Sequence, residues 1–93
     1  VALIKVVESM GSADVLVCEV QSDHTADLLV YVVESKAAAM GDALWCYVKF
    51  SSEATSKVCF IDSPGSAHLL VHFVRSRMAA GWRTALHPLD GVL

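Results

Sequence analysis

Apolar residues fall along this chain in short runs, each closed by a β-branched residue and followed by a polar step and then a small residue. The β-branched position recurs at Val7, Val20, Val33, Val48, Ile61 and Val74, and an alanine recurs at Ala13, Ala26, Ala39, Ala54, Ala67 and Ala80. Both ladders advance by 13 residues at every step except the third, which takes 15. A pattern kept in register across 93 residues marks one supersecondary unit copied six times, whose copies bury their faces against one another.

Each copy predicts a strand followed by a turn. The third, Asp27-Leu28-Leu29-Val30-Tyr31-Val32-Val33, is rich in β-branched and aromatic residues and about one strand long, which favours β over helix. Side chains alternate along a strand, so the recurring Val or Ile shares a face with Leu3, Leu16, Leu29, Leu44 and Leu70, Lys57 being the exception. That face is the predicted core. The opposite face carries Ile4, Val17, Val30, Trp45, Val58 and Val71, flanked by Val6, Glu19, Val32, Tyr47, Phe60 and Phe73. It is nearly as apolar, so the strands are expected to be covered on both faces or to meet another subunit.

The segment after each strand opens with a polar residue and usually a serine: Glu8-Ser9, Gln21-Ser22, Glu34-Ser35, Asp62-Ser63 and Arg75-Ser76. A serine hydroxyl there can take a following backbone N–H and start a turn. Phe50 stands in the serine position of the fourth copy, where a different turn is expected. The alanine is small, on this reading, because a neighbouring strand passes close by. The two extra residues, Met40-Gly41, mark the midpoint and predict a longer turn between two halves. A period of 13 is far below the roughly 33 or more of helical solenoids and the roughly 40 of propeller blades. It suits an antiparallel meander, a small barrel or two interleaved sheets.

Composition sharpens this only a little. The apolar fraction of 55% and the charged fraction of 18% leave scarce polar surface, which implies tight closure or a partner. Apolar runs such as Leu28 to Val33 are far short of the roughly 20 residues of a membrane span. No signal peptide is evident at Val1-Ala2-Leu3-Ile4-Lys5, so a cytoplasmic protein is expected. A net charge of −3, with only Arg75, Arg77 and Arg83 grouped, argues against a nucleic-acid module.

Candidate chemistry is sparse. Cys18, Cys46 and Cys59 hold equivalent positions in their copies, and His72 holds the same position in the sixth. Convergence of that position on one axis would give a Cys₃His zinc or redox site. With no close Cys pair, packing is the simpler reading, and no metal or other cofactor is expected. His68 and His72 share a strand face about 13 Å apart, too far to hold one ion. His24 in a turn and His87 near the end read as solvated. A cysteine with His72, or a serine with His72 and Asp62, could be drawn as a nucleophile with its base, yet no G-x-S-x-G elbow accompanies them. The polar residues Glu8, Gln21, Glu34, Lys49, Asp62 and Arg75 run from acidic to basic and read as solvated turns or as a charge-split face for a partner.

The unit V-Y-V-V-E-S-x-x-x-A, the Ala13-Asp14 and Ala26-Asp27 openings, the stretch Phe50-Ser51-Ser52-Glu53-Ala54 and the ending Ala80-Gly81-Trp82-Arg83 resemble a small bacterial family of unknown function. Its members repeat short Y-F-V-K-Y-x-S-x-A-D units and end in A-G-W-R. The resemblance covers residues 1–83, read as one β-repeat domain, and leaves residues 84–93 as a C-terminal tail. It implies an all-β fold of short strands, deeply knotted with seven crossings, in a monomer. It carries no activity, cofactor or catalytic residue. The expected function is therefore a non-enzymatic structural or protein-interaction domain, with Trp82 and Arg83 as a possible partner contact. The alternatives are a small Cys/His metal or redox protein, and an enzyme whose site the sequence does not display.

Short strands joined by short turns ordinarily fold and unfold fast. A chain threaded through itself adds slow steps in both directions. Unfolding in strong denaturant at 25 °C, followed by tryptophan fluorescence, is predicted to take on the order of minutes to hours. The tail from Thr84 onward is expected to matter little to that rate. Unfolding complete within about a second would count against the threaded topology.

Overall fold

The computed structural model describes all residues, 1–93. Seven strands form: β1 (Ala2–Val6), β2 (Val15–Glu19), β3 (Leu28–Val32), β4 (Leu44–Tyr47), β5 (Ser56–Phe60), β6 (Leu69–Phe73) and β7 (Gly81–Trp82). The first six pair side by side in the order β4-β1-β5-β2-β6-β3, and β3 pairs back onto β4, closing a barrel. All six barrel pairings are parallel, whereas β7 lies antiparallel on β3. The fold is thus all-β, a small closed barrel of interleaved strands. Of the sequence readings, the antiparallel meander is excluded.

Parallel neighbours normally need crossover connections of a dozen or more residues. Here the crossovers are shorter because each loop passes over just one strand. The loop after β1 crosses β5 to reach β2, and the loop after β2 crosses β6 to reach β3. The loops after β4 and β5 cross β1 and β2. Loops from the first half therefore lie over strands from the second half, and the reverse holds too. This mutual covering interlocks the chain.

Every loop is fixed at its start to the strand beneath it, and four of them are fixed to that strand at the far end as well. At the start, the recurring β-branched residue donates its N–H to the crossed strand: Val7 to Val58 O, Val20 to Val71 O, Val33 to Trp45 O, Val48 to Ile4 O, Ile61 to Val17 O and Val74 to Val30 O, all at 2.8–2.9 Å. At the far end, the residue after the recurring alanine makes a two-way clasp. Asp14 N–H donates to Lys57 O at 2.7 Å while its Oδ2 accepts from Lys57 N at 2.8 Å. Asp27 does the same with Leu70, Thr55 Oγ1 with Leu3, and His68 Nδ1 with Leu16. Asp, Thr and His serve equally because the position needs only an acceptor of short reach.

Between these clasps the loop makes one 3-10 turn. The residue at the serine position accepts the turn's bond through its backbone carbonyl: Ser9 from Ser12 N, Ser22 from Thr25 N, Ser35 from Ala38 N, Phe50 from Glu53 N, Ser63 from Ser66 N and Ser76 from Ala79 N. Only Ser22 and Ser35 also accept a turn N–H on the hydroxyl. The expectation of a different turn at Phe50 is corrected for this reason: the side chain is not what makes the turn.

Neighbouring strands are offset by two residues at every interface, as in Ile4 opposite Ser56 and Val15 opposite Val58. With about 3.3 Å of rise per residue against about 4.8 Å between strands, the strands tilt steeply, by on the order of 50°. The offset carries Ile4 to Val58, Val17, Val71, Val30 and Trp45, and back to Ile4, a closed ring of six side chains that are all 0% exposed. Ala2, Val15, Leu28, Ser56 and Leu69 form the ring below. The interior face is therefore the one opposite to that predicted. Both faces are apolar because the crossing loops bury the outer one, and the narrow lumen takes the β-branched residues while Leu3, Leu16, Leu29, Leu44 and Leu70 lie half-buried under loops.

The loop from β3 to β4 is the exception to the stride. It packs Val33 and Ala39 over Cys46 of β4 and reaches β1, where Ala39 O accepts from Ala2 N at 3.2 Å. Gly41, at φ +70°, then turns the chain back so that β4 enters beside β3. Had this loop skipped a strand like the rest, β4 would have landed on β1. Apart from β3 with β4, barrel partners are 43 or 52 residues apart, so the contacts that hold the barrel are non-local although the turns are short.

The tail is part of the packing. Leu93 is 2% exposed within the main core, Leu89 packs against it, and Thr55 Oγ1 donates to Leu93 O at 2.8 Å. These contacts close the end of the barrel from which the strands begin. The clasps supply the fold prediction. Asp27→Ala should cost about 1.5–3 kcal/mol and His68→Ala about 0.5–1.5 kcal/mol in urea unfolding, whereas His68→Asp should be near neutral. Equal tolerance of all three substitutions would show that the clasps do not hold the loops.

Candidate functional site

Cys18, Cys46, Cys59 and His72 lie on the outer faces of β2, β4, β5 and β6, each beneath a different loop. Cys59 Sγ points to Glu8 O of the loop crossing β5, at 3.7 Å. His72 Nδ1 donates to Val20 O of the loop crossing β6, at 2.9 Å. The shared position therefore faces outward from the barrel, and the Cys₃His convergence is corrected: no three His, Cys, Asp or Glu side chains come together. The thiols are free and buried, filling the space between strand and loop. His68 is used by Leu16 N, and Asp62 is an exposed residue at the exit of β5, not adjacent to β6.

The end of the chain builds a cleft of about 540 Å³ lined by Met40, Asp42, Arg77, Gly81, Trp82 and Asp90, among others. Asp42 organises it. Its Oδ2 accepts from Trp82 Nε1 at 3.0 Å and from Gly91 N at 2.5 Å, and its carbonyl accepts from Trp45 Nε1 at 2.7 Å. Trp82 is half-buried against the core, and Gly81, at φ +151°, adopts backbone that a side chain would strain. His87 stacks on Trp82 with centroids 5.0 Å apart and approaches Asp27 Oδ2 at 3.6 Å. Its side chain is 11% exposed, which corrects the solvated reading: the tail folds it inward. His24 is exposed, as expected of a turn residue. Arg83 is exposed, and its N–H is tied to Asp27 O at 2.8 Å. No serine, cysteine or histidine lines the cleft.

The opposite end of the barrel, where the strands finish, is uncovered. Its ring is the third along the interior face: Val6, Phe60, Glu19, Phe73, Val32 and Tyr47 in spatial order. Val6, Val32, Tyr47 and Phe60 are 37–42% exposed. Trp45 forms the floor, edge-on to Tyr47 and Phe73 at 6.4 and 6.0 Å, and Phe60 tilts against Phe73 at 6.3 Å. Burial first, and secondly the negative charge of Glu19 across the mouth, raise the Tyr47 phenol above its ordinary value near 10. These residues were visible in the sequence as flanks of the apolar face. That they meet at one open mouth follows only from the parallel closure.

The class defined by these features is an interlocked, closed barrel of parallel strands, with its loops clasped over its own strands. The chain belongs to the family of the 7(1) septoil knot domain, whose model matches residues 1–83, and it is accordingly a knotted all-β domain with seven crossings. The tail from Thr84 lies outside the matched region. No curated protein and no solved structure matches the chain.

Tyr47 gives a pH prediction. A folded-state pKa raised above the unfolded one means that the native state holds its proton longer, so stability is full below about pH 10 and falls as pH rises through the folded value. In a Tyr31→Phe background, urea midpoints should drop above about pH 10, and Tyr47→Phe should flatten that drop. An unchanged slope in Tyr47→Phe would place the titrating group elsewhere.

Proposed function

We propose that this domain is a non-enzymatic protein-interaction module, monomeric and kinetically persistent, that meets protein partners with the open mouth of its barrel. One observation carries the reading: four exposed apolar side chains, Val6, Val32, Tyr47 and Phe60, stand at the barrel end where the strands finish, with polar residues Glu8, Gln21, Glu34, Lys49, Asp62 and Arg75 two positions beyond their ring. An apolar centre with a polar rim is the anatomy of a protein interface. Groups suited to acid–base work elsewhere, Asp14, Asp27, Asp42, His68 and His72, are spent on backbone or structural bonds, which favours a binding role over catalysis. Three free, buried thiols suit a reducing compartment such as the cytoplasm. No helix is long and apolar enough to cross a membrane.

Selection of random peptides displayed on phage against the full chain should yield binders. They should lose at least about tenfold in affinity to the double variant Phe60→Ser, Phe73→Ser, which corresponds to about 1.4 kcal/mol. Unfolding rates measured alongside should show that the variant remains folded. Binders indifferent to the double variant, or none at all, would overturn the reading.

A further inference from the structure

We infer that the mouth seats a basic segment of a partner protein, one Lys or Arg side chain lying across Phe60, Phe73 and Tyr47 with its charged head on Glu19. This rests on the reading of the mouth as a contact face and goes further by naming the chemistry of the occupant.

Glu19 is the only charged residue in the ring, and no ion pair or side-chain hydrogen bond of the chain engages its carboxylate. Strand order sets β2 between β5 and β6, so this carboxylate stands between Phe60 and Phe73, with Tyr47 on the far side of the barrel. Aromatic faces carry negative quadrupole charge, so rings and carboxylate attract the same kind of guest, a cation on an apolar stem. Lys and Arg have that form, because their methylene chains cover apolar surface while the head reaches a partner. An acidic or purely apolar guest would bury Glu19 without a counter-charge.

The rim adds a direction. Interleaving brings Glu8 of the first copy beside Asp62 of the fifth, at the exits of β1 and β5, and β5 in turn adjoins β2, which holds Glu19. Lys49 and Arg75, at the exits of β4 and β6, border this acidic arc on its two sides. A basic segment is thereby drawn to the β1-β5-β2 arc, with its apolar neighbours over Val6 and Val32. In the sequence these charges merely ran from acidic to basic. The strand order turns that gradient into an arc.

The test uses the full chain and the same displayed peptides. Binders should be enriched in Lys or Arg next to apolar residues. A synthetic binder should lose about five- to tenfold in affinity when its basic residue becomes glutamine, and by a similar factor against Glu19→Gln. Its amide cross-peak perturbations should centre on Glu19, Tyr47, Phe60 and Phe73. Binders that need Phe60 and Phe73 but show no basic preference would overturn the cationic occupant and leave the contact face standing. Binders independent of both phenylalanines would overturn both. Concentration-dependent self-association that is lost in Phe60→Ser would instead assign the mouth to a second copy of this chain.

Discussion

The structure depends on one bonded arrangement: a loop tied at both ends to the strand it crosses. A loop over a strand leaves backbone groups on both that must be satisfied away from water, since an unpaired buried N–H costs as much as a lost hydrogen bond. The β-branched residue at one end and the Asp, Thr or His clasp at the other supply those bonds. With the loops in place, the outer strand face becomes a second interior, and cysteines and leucines can occupy it. The 13-residue period is then the length of one crossing: a strand, a tied start, one 3-10 turn and a tied end.

The clasps also decide which surfaces of the barrel stay open. They consume the polar side chains of the barrel wall, and the tail closes one end with Leu93, Leu89 and the Trp82–His87 stack. At the other end, the ring around Phe60, Phe73 and Tyr47 stays open. Its aromatic character follows from geometry. The closed ring of Ile4, Val17, Val30, Val58 and Val71 tolerates one large side chain, Trp45, and further bulk has to collect where the lumen opens.

Much of the fold could be read from residues. Two equally apolar faces correctly implied cover on both sides, and Met40-Gly41 marked the place where the stride changes. The choice of inner face was only faintly marked: Lys5, Lys57 and His72 lie on the outer face against Glu19 alone on the inner one, but both faces are otherwise largely apolar and both ladders are equally regular. The clasp escaped notice for a similar reason. Asp14, Asp27, Thr55 and His68 differ in type, and their shared role appears only when the partner backbone 43 or 52 residues away is known. Of the candidate site, every ring residue was in view as a flank. The acidic arc was not, since strand order brings together charges from the first, second and fifth copies.

The change of stride between β3 and β4 bears on the order in which this chain can assemble during synthesis. β1, β2 and β3 never pair with one another, so a nascent chain that has released only these strands has no sheet to make. The first pairing within reach is β3 with β4, around Trp45 and the Val33–Ala39–Cys46 cluster. The ribosome must therefore deliver about half of the 93 residues before any two strands of the sheet can pair, and all of β6 before the barrel can close.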